Sequence, residues 1–198
     1  IVSADGGSVK TLVAADSNSE QTGNIAPTGW TSDSRKVIFH VPLKGLYAIP
    51  AAGGEWEPIC TFENPDEAKR YGEMTLSPDG RWIAYSASQD GNTDIYLMPT
   101  AGRNSIRITR NPAAEKAPRW SYDSQWLAFT SSSTENPQIW TVKISPEGLP
   151  VGTPQQVTKD AFVLGGNWTK TANIGFPTAF RTEHIYTANA DGSGETQL

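Results

Sequence analysis

At 198 residues, with a net charge of −5 and its 16 basic residues scattered, the chain can bury a core but offers no basic stripe to a phosphate backbone. Eighteen Gly and 14 Pro beside seven Trp suit short strands and many turns, and no apolar run approaches the roughly 18 residues of a membrane-spanning helix. Composition thus argues against a nucleic-acid partner and against membrane insertion, and for an all-β chain.

Ile1-Val2-Ser3, a turn at Ala4-Asp5-Gly6-Gly7 and Val9-Lys10-Thr11-Leu12 read as a pair of strands. Residues 14–26, rich in Ser, Asn, Asp and Gly, read as a surface loop. Trp30-Thr31-Ser32-Asp33-Ser34 followed by Val37-Ile38-Phe39 predicts strand, turn, strand, and Leu46-Tyr47-Ala48-Ile49 with Ala52-Gly53-Gly54 adds a third strand and its turn. The lone Cys60, in the run Pro58-Ile59-Cys60-Thr61-Phe62, is expected in the core rather than as a reactive thiol. Residues 63–72 carry enough helix formers for one turn but too few for a stable helix. The sharpest stretch is Leu76-Ser77-Pro78-Asp79-Gly80-Arg81-Trp82-Ile83-Ala84-Tyr85-Ser86. There Pro fixes φ and Gly permits positive φ, so the chain must reverse between two β-prone runs. The pattern returns as Trp120-Ser121-Tyr122-Asp123-Ser124 with Leu127-Ala128-Phe129, and as Trp168-Thr169-Lys170-Thr171 with Ile174-Gly175-Phe176.

Residues 30, 76, 120 and 168 anchor these copies at separations of 46, 44 and 48, within the range of about 40 to 50 residues that marks a propeller blade. Four copies of the first half of the unit face five of the second, because Ile1 to Leu12 matches only a second half. The expected architecture is a single β-propeller region over residues 1–198, made of four-stranded antiparallel blades. A half blade at 1–16 precedes complete blades at 17–62, 63–110, 111–158 and 159–198, as part of a larger ring of six to eight blades. Uncovered edges would leave Ile1, Val2 and Val9 at one end, and Ile174, Phe176, Ile185 and Tyr186 at the other, exposed and prone to self-association.

Trp-Ser-Pro-Asp-Gly before an apolar strand, then Asp90-Gly91-Asn92-Thr93-Asp94-Ile95-Tyr96-Leu97-Met98 and a Gly-containing turn, resembles the TolB-like (WD-type) β-propeller repeat, with Leu76 where Trp is usual. The resemblance covers nearly the whole chain, and its last copy lacks the Asp, having Lys170-Thr171-Ala172 instead. It implies a periplasmic or extracellular protein. The family includes partner-binding proteins as well as the non-catalytic propellers of peptidases and other hydrolases.

Trp30, Trp120 and Trp168, at blade period with Leu76, are expected to pack between adjacent sheets. Asp33, Asp79 and Asp123 are expected to cap their hairpin turns rather than act as bases. Asp90, Asn92 and Asp94 place oxygens at alternate positions that Ca²⁺ could use, but the loop lacks the glycine and downstream Glu of an EF-hand. It is expected to hold itself by hydrogen bonds, and no cofactor is implied. His40 and His184 show no zinc spacing, and no Gly-x-Ser-x-Gly elbow exists; Gly192-Ser193-Gly194 reads as a turn. Glu73, Arg119 and Asn167 break the apolar first strands and would point toward the channel or its mouth.

The residues therefore favour a non-catalytic scaffold or recognition propeller that binds a protein, peptide or glycan through rim loops and channel mouth. The alternative is the substrate-gating propeller of a larger hydrolase, such as a prolyl-oligopeptidase-like or tricorn-like peptidase.

Overall fold

A computed structural model describes residues 11–12, 25–31, 33–62, 71–89, 91–101, 104–159, 163, 165–180 and 182–197; the side chains of residues 26, 178–180 and 182–184 are not described. The chain divides into two compact units, residues 1–69 and 70–198. Most of the expected half blade at 1–16 lies outside the described residues, as do Ile1, Val2, Val9 and the helical turn expected within 63–70.

In the first unit, β1 (Ala26–Trp30), β2 (Lys36–Val41), β3 (Gly45–Pro50) and β4 (Glu57–Thr61) form one antiparallel sheet in that order. The β-branched and aromatic run Val37-Ile38-Phe39-His40-Val41 pairs in full register with β3, from Lys36 opposite Pro50 to Val41 opposite Gly45. Phe39, Val41 and Ile49 are buried, with Leu12, Ile25, Val37 and Tyr47 packed on them. Trp56 stacks on Phe39 at a centroid distance of 5.2 Å. Cys60 is half-buried on β4, opposite Leu46.

The second unit holds three further four-stranded antiparallel sheets among its described residues. They are β5 (Tyr71–Leu76), β6 (Trp82–Gln89), β7 (Asn92–Pro99) and β8 (Ile106–Arg107); β9 (Glu115–Trp120), β10 (Trp126–Ser131), β11 (Gln138–Ile144) and β12 (Pro150–Gln156); and β13 (Asn167–Trp168), β14 (Asn173–Phe180), β15 (Thr182–Asn189) and β16 (Thr196–Gln197). Spatial order follows sequence order in every sheet, so hairpins alone build each blade.

The middle sheet shows why the fold needs two apolar faces. Leu127 and Phe129 of β10, with Val142 and Ile144 of β11, join Ala84, Ile95 and Leu97 of the preceding sheet. The alternate residues Ala128 and Ile139 join Trp168, Ile174 and Phe176 of the following one. Strand alternation thus sends neighbouring side chains into two different cores. Close approach also fixes a glycine: Gly148, at φ 78°, lies against the indole of Trp82, where a Cβ would enter the ring.

The hairpin turns repeat one hydrogen-bond pattern. Ser77 Oγ donates to Asp79 Oδ1 (2.6 Å) and accepts from Trp82 N–H (2.9 Å), while Asp79 Oδ1 also accepts from Arg81 N–H (3.1 Å). Thr31 with Asp33 and Ser121 with Asp123 repeat the hydroxyl-to-carboxylate bond at 2.6 Å each. In the last blade, Thr169 and Thr171 share a hydroxyl bond of 3.0 Å in its place, so a hydroxyl substitutes for the missing carboxylate.

Two expectations need correction. Trp120 and Trp168 pack between sheets at 7 % and 8 % exposure, but Trp30 is 47 % exposed. The cover for Trp120 comes from the sheet that precedes it in sequence; the segment preceding Trp30 in that sense is residues 1–24, which are almost wholly outside the described residues. Ile174 and Phe176, expected as an exposed edge, are 0 % and 1 % exposed because their face of β14 packs on the middle sheet. Ile185, on the neighbouring strand, is 58 % exposed.

Candidate functional site

Within the second unit, the first strands of successive blades carry the three polar residues singled out above. Arg119 of β9 donates from Nη2 to Glu73 Oε2 of β5 at 2.7 Å, and from Nη1 to the Pro118 carbonyl at 2.9 Å. Trp168 of β13 donates from Nε1 to the Arg119 carbonyl at 2.9 Å, which places exposed Asn167 next in the row. Glu73 and Arg119 are brought together directly; Asn167 is linked only through its neighbour Trp168, whose indole bonds the Arg119 backbone carbonyl. The Glu73 and Arg119 side chains remain 57 % and 33 % exposed. Screened by solvent, such a pair contributes about 0.2–1 kcal/mol to stability.

A second polar group lies below the surface. Asp94, 0 % exposed on β7, accepts from Arg107 Nη2 at 2.6 Å, from Asn92 Nδ2 at 3.2 Å and from Thr109 Oγ1 at 3.3 Å. Thr109 Oγ1 in turn accepts from Ile95 N–H at 2.9 Å, and Arg107 Nε donates to the Thr109 carbonyl at 3.0 Å. Asn92 also donates to the Asn111 carbonyl at 2.7 Å, which ties the β6–β7 loop to the chain leaving β8. Asp90, the third oxygen of the cation alternative, lies outside the described residues. Asp94 is committed to Arg107, and among the described residues no group of three or more His, Cys, Asp or Glu could hold a metal ion.

Glu115, at the start of β9, is 3 % exposed, and its Oε2 has no hydrogen-bond partner among the described residues. Burial pushes its carboxyl up to about 7; the Thr109 hydroxyl opposes this, the charge of Asp94 adds to it, and Ser131 and Arg107 oppose it. Sequence reasoning missed Arg107, Thr109 and Glu115, because their roles follow from strand pairing rather than from spacing along the chain.

The TolB β-propeller domain model (PD40) matches residues 30–159. The chain belongs to the TolB β-propeller family. The Tol-Pal system protein TolB of Desulfosudis oleivorans is 38 % identical over 63 residues, which are 32 % of this chain and 14 % of that protein. The crystal structure of TolB from Acinetobacter baumannii matches all of this chain and 47 % of its own, with a TM-score of 0.74 at 21 % identity. The tricorn protease matches 88 % of this chain and 22 % of its own, with a TM-score of 0.57 at 12 % identity. These two structural likenesses concern the fold. The chain spans less than half the length of each of these relatives.

In TolB-family terms, the first-strand row and the buried group differ in what they can do. The row presents a carboxylate, a guanidinium and an amide to solvent along consecutive blades, a pattern suited to polar recognition. The buried group meets only protein and serves to join strands.

Proposed function

We propose that this TolB-family chain is a non-catalytic recognition scaffold of the cell envelope, and that it binds a protein or peptide partner on the side where its first strands present Glu73, Arg119 and Asn167. The observation that carries the reading is the Arg119–Glu73 pair continued through the Trp168–Arg119 bond to Asn167. First strands line the central channel of a propeller, and an exposed, orienting charge pair there steers and registers a partner more than it stabilises the fold. The printed name of the Desulfosudis oleivorans relative assigns that protein to a Tol-Pal system, which supports an envelope setting and a protein partner for this chain. The likeness to the tricorn protease is one of fold and lends no support of its own to the hydrolase alternative.

Charge reversal tests the reading. Glu73→Lys and Arg119→Glu should each reduce recovery of envelope partners at least tenfold while the melting temperature shifts by a few degrees at most. Full recovery with both variants would remove the row from the binding surface.

A further inference from the structure

We infer that Glu115, with Asp94 and Arg107, forms a proton-binding site at the junction of the 63–110 and 111–158 blades, firm when the Glu115 carboxyl is neutral and loosened when it is charged. Two carboxylates, 0 % and 3 % exposed, lie near one guanidinium, and that guanidinium is bonded to Asp94 Oδ2 at 2.6 Å. An ionised Glu115 would therefore leave a net negative charge in a dry site, with Oε2 unpartnered. Protonation removes that charge and supplies a donor. Ser131 lies directly opposite Glu115 in the β9–β10 register, and its Oγ, also buried, closes no hydrogen bond among the described residues. The Ser131 and Thr109 hydroxyls favour the charged carboxylate, but burial and the charge of Asp94 outweigh them.

Few ionisable groups face Glu115. The strands packed on β9 carry Tyr71 and Glu73 (β5), Tyr85 (β6), and Asp94 and Tyr96 (β7), with no ionisable group on β10 or β13, and Arg107 of β8 adds its charge from beside Asp94. Glu73 is engaged by Arg119, and Lys116 of β9 itself points to solvent. The Glu115 carboxyl is held up to about 7 in the folded chain, above the usual carboxylate range. A raised acid adds stability that is fully present below its unfolded value and is lost as pH rises through its folded one. The blade junction should accordingly weaken between about pH 5 and about pH 8.

Urea unfolding of the 198-residue chain at about pH 5 and about pH 8, for the native sequence and Glu115→Gln, tests this. The chain also holds two histidines, so the comparison between the proteins is what counts. The folding constant of the native chain should fall on the order of 50-fold more than that of Glu115→Gln between the two pH values. Equal pH dependence would overturn the proposal. Should Glu115→Gln fail to fold, infrared spectra of the native chain with isotope-labelled glutamate decide instead. A protonated carboxyl band titrating near neutrality supports the site, and its absence at about pH 6 contradicts it.

Discussion

Gln138 occupies in the 111–158 blade the place that Asp94 holds in the 63–110 blade. Thr158 Oγ1 donates to Gln138 Oε1 at 2.6 Å as Thr109 Oγ1 donates to Asp94 Oδ1 at 3.3 Å, and each threonine hydroxyl accepts an isoleucine N–H at 2.9 Å, from Ile139 and Ile95. Gln156 Nε2 donates to the Thr158 carbonyl at 2.8 Å where Arg107 Nε donates to that of Thr109 at 3.0 Å. One blade solves with two amides what its neighbour solves with an ion pair.

The substitution therefore has a measurable form. Asp94→Gln alone leaves the Arg107 charge uncompensated; allowing for the 38 % exposure of that side chain, it should cost about 1–3 kcal/mol. Adding Arg107→Gln should return much of the loss, with a coupling of about 1–2 kcal/mol in a double-mutant cycle read by urea unfolding. Additive losses would show that the two blades do not share a design.

The repeat and its hairpins are legible in the sequence because turn chemistry is local: Ser77, Asp79 and Gly80 act within five residues of one another. The Asp94 group is not, since its partners Arg107 and Thr109 stand 13 and 15 residues away and only strand pairing brings them together. Its chemistry also changes from charge to amide between blades, so repetition conceals it. Asn92 and Asp94 read from spacing as possible cation ligands, yet Asp94 spends its oxygens on a guanidinium, an amide and a hydroxyl. Trp30 shows the converse limit: recurrence at blade period goes with burial for Trp120 and Trp168, yet Trp30 is 47 % exposed.

The fourth turn residue sits in the left-handed region in every described hairpin of this kind: Gly80 at φ 75°, Ser34 at 57°, Ser124 at 59° and Ala172 at 62°. Alanine carries a steric penalty there that glycine does not. Ala172→Gly should stabilise the chain by about 0.5–1 kcal/mol, and Gly80→Ala, whose Cβ meets open space, should destabilise it by a similar amount; thermal melts of both variants check the pair.

Acid should weaken the fold through the turns. Burial acts to raise the Asp79 pKa but is outweighed by the Ser77 hydroxyl and by the Arg81 side chain and N–H, so the carboxyl sits below the usual range. A depressed acid contributes stability present above its unfolded value, near 4, and lost as pH falls through its lower folded one. Stability of the native chain should drop below about pH 4, and Asp79→Asn should flatten that limb while lowering stability at neutral pH. An unchanged acid limb in Asp79→Asn would assign the loss elsewhere.

Site-directed photo-crosslinking within the cell envelope asks most directly whether the first-strand row meets a partner. With a photoreactive phenylalanine analogue in place of Asn167, discrete crosslinked species should form and should disappear when Arg119→Glu is added. The same analogue in place of Gln155, exposed on the outer strand β12, should give none. Crosslinks from position 155 with none from position 167, or crosslinks at 167 indifferent to Arg119→Glu, would contradict recognition through Glu73, Arg119 and Asn167.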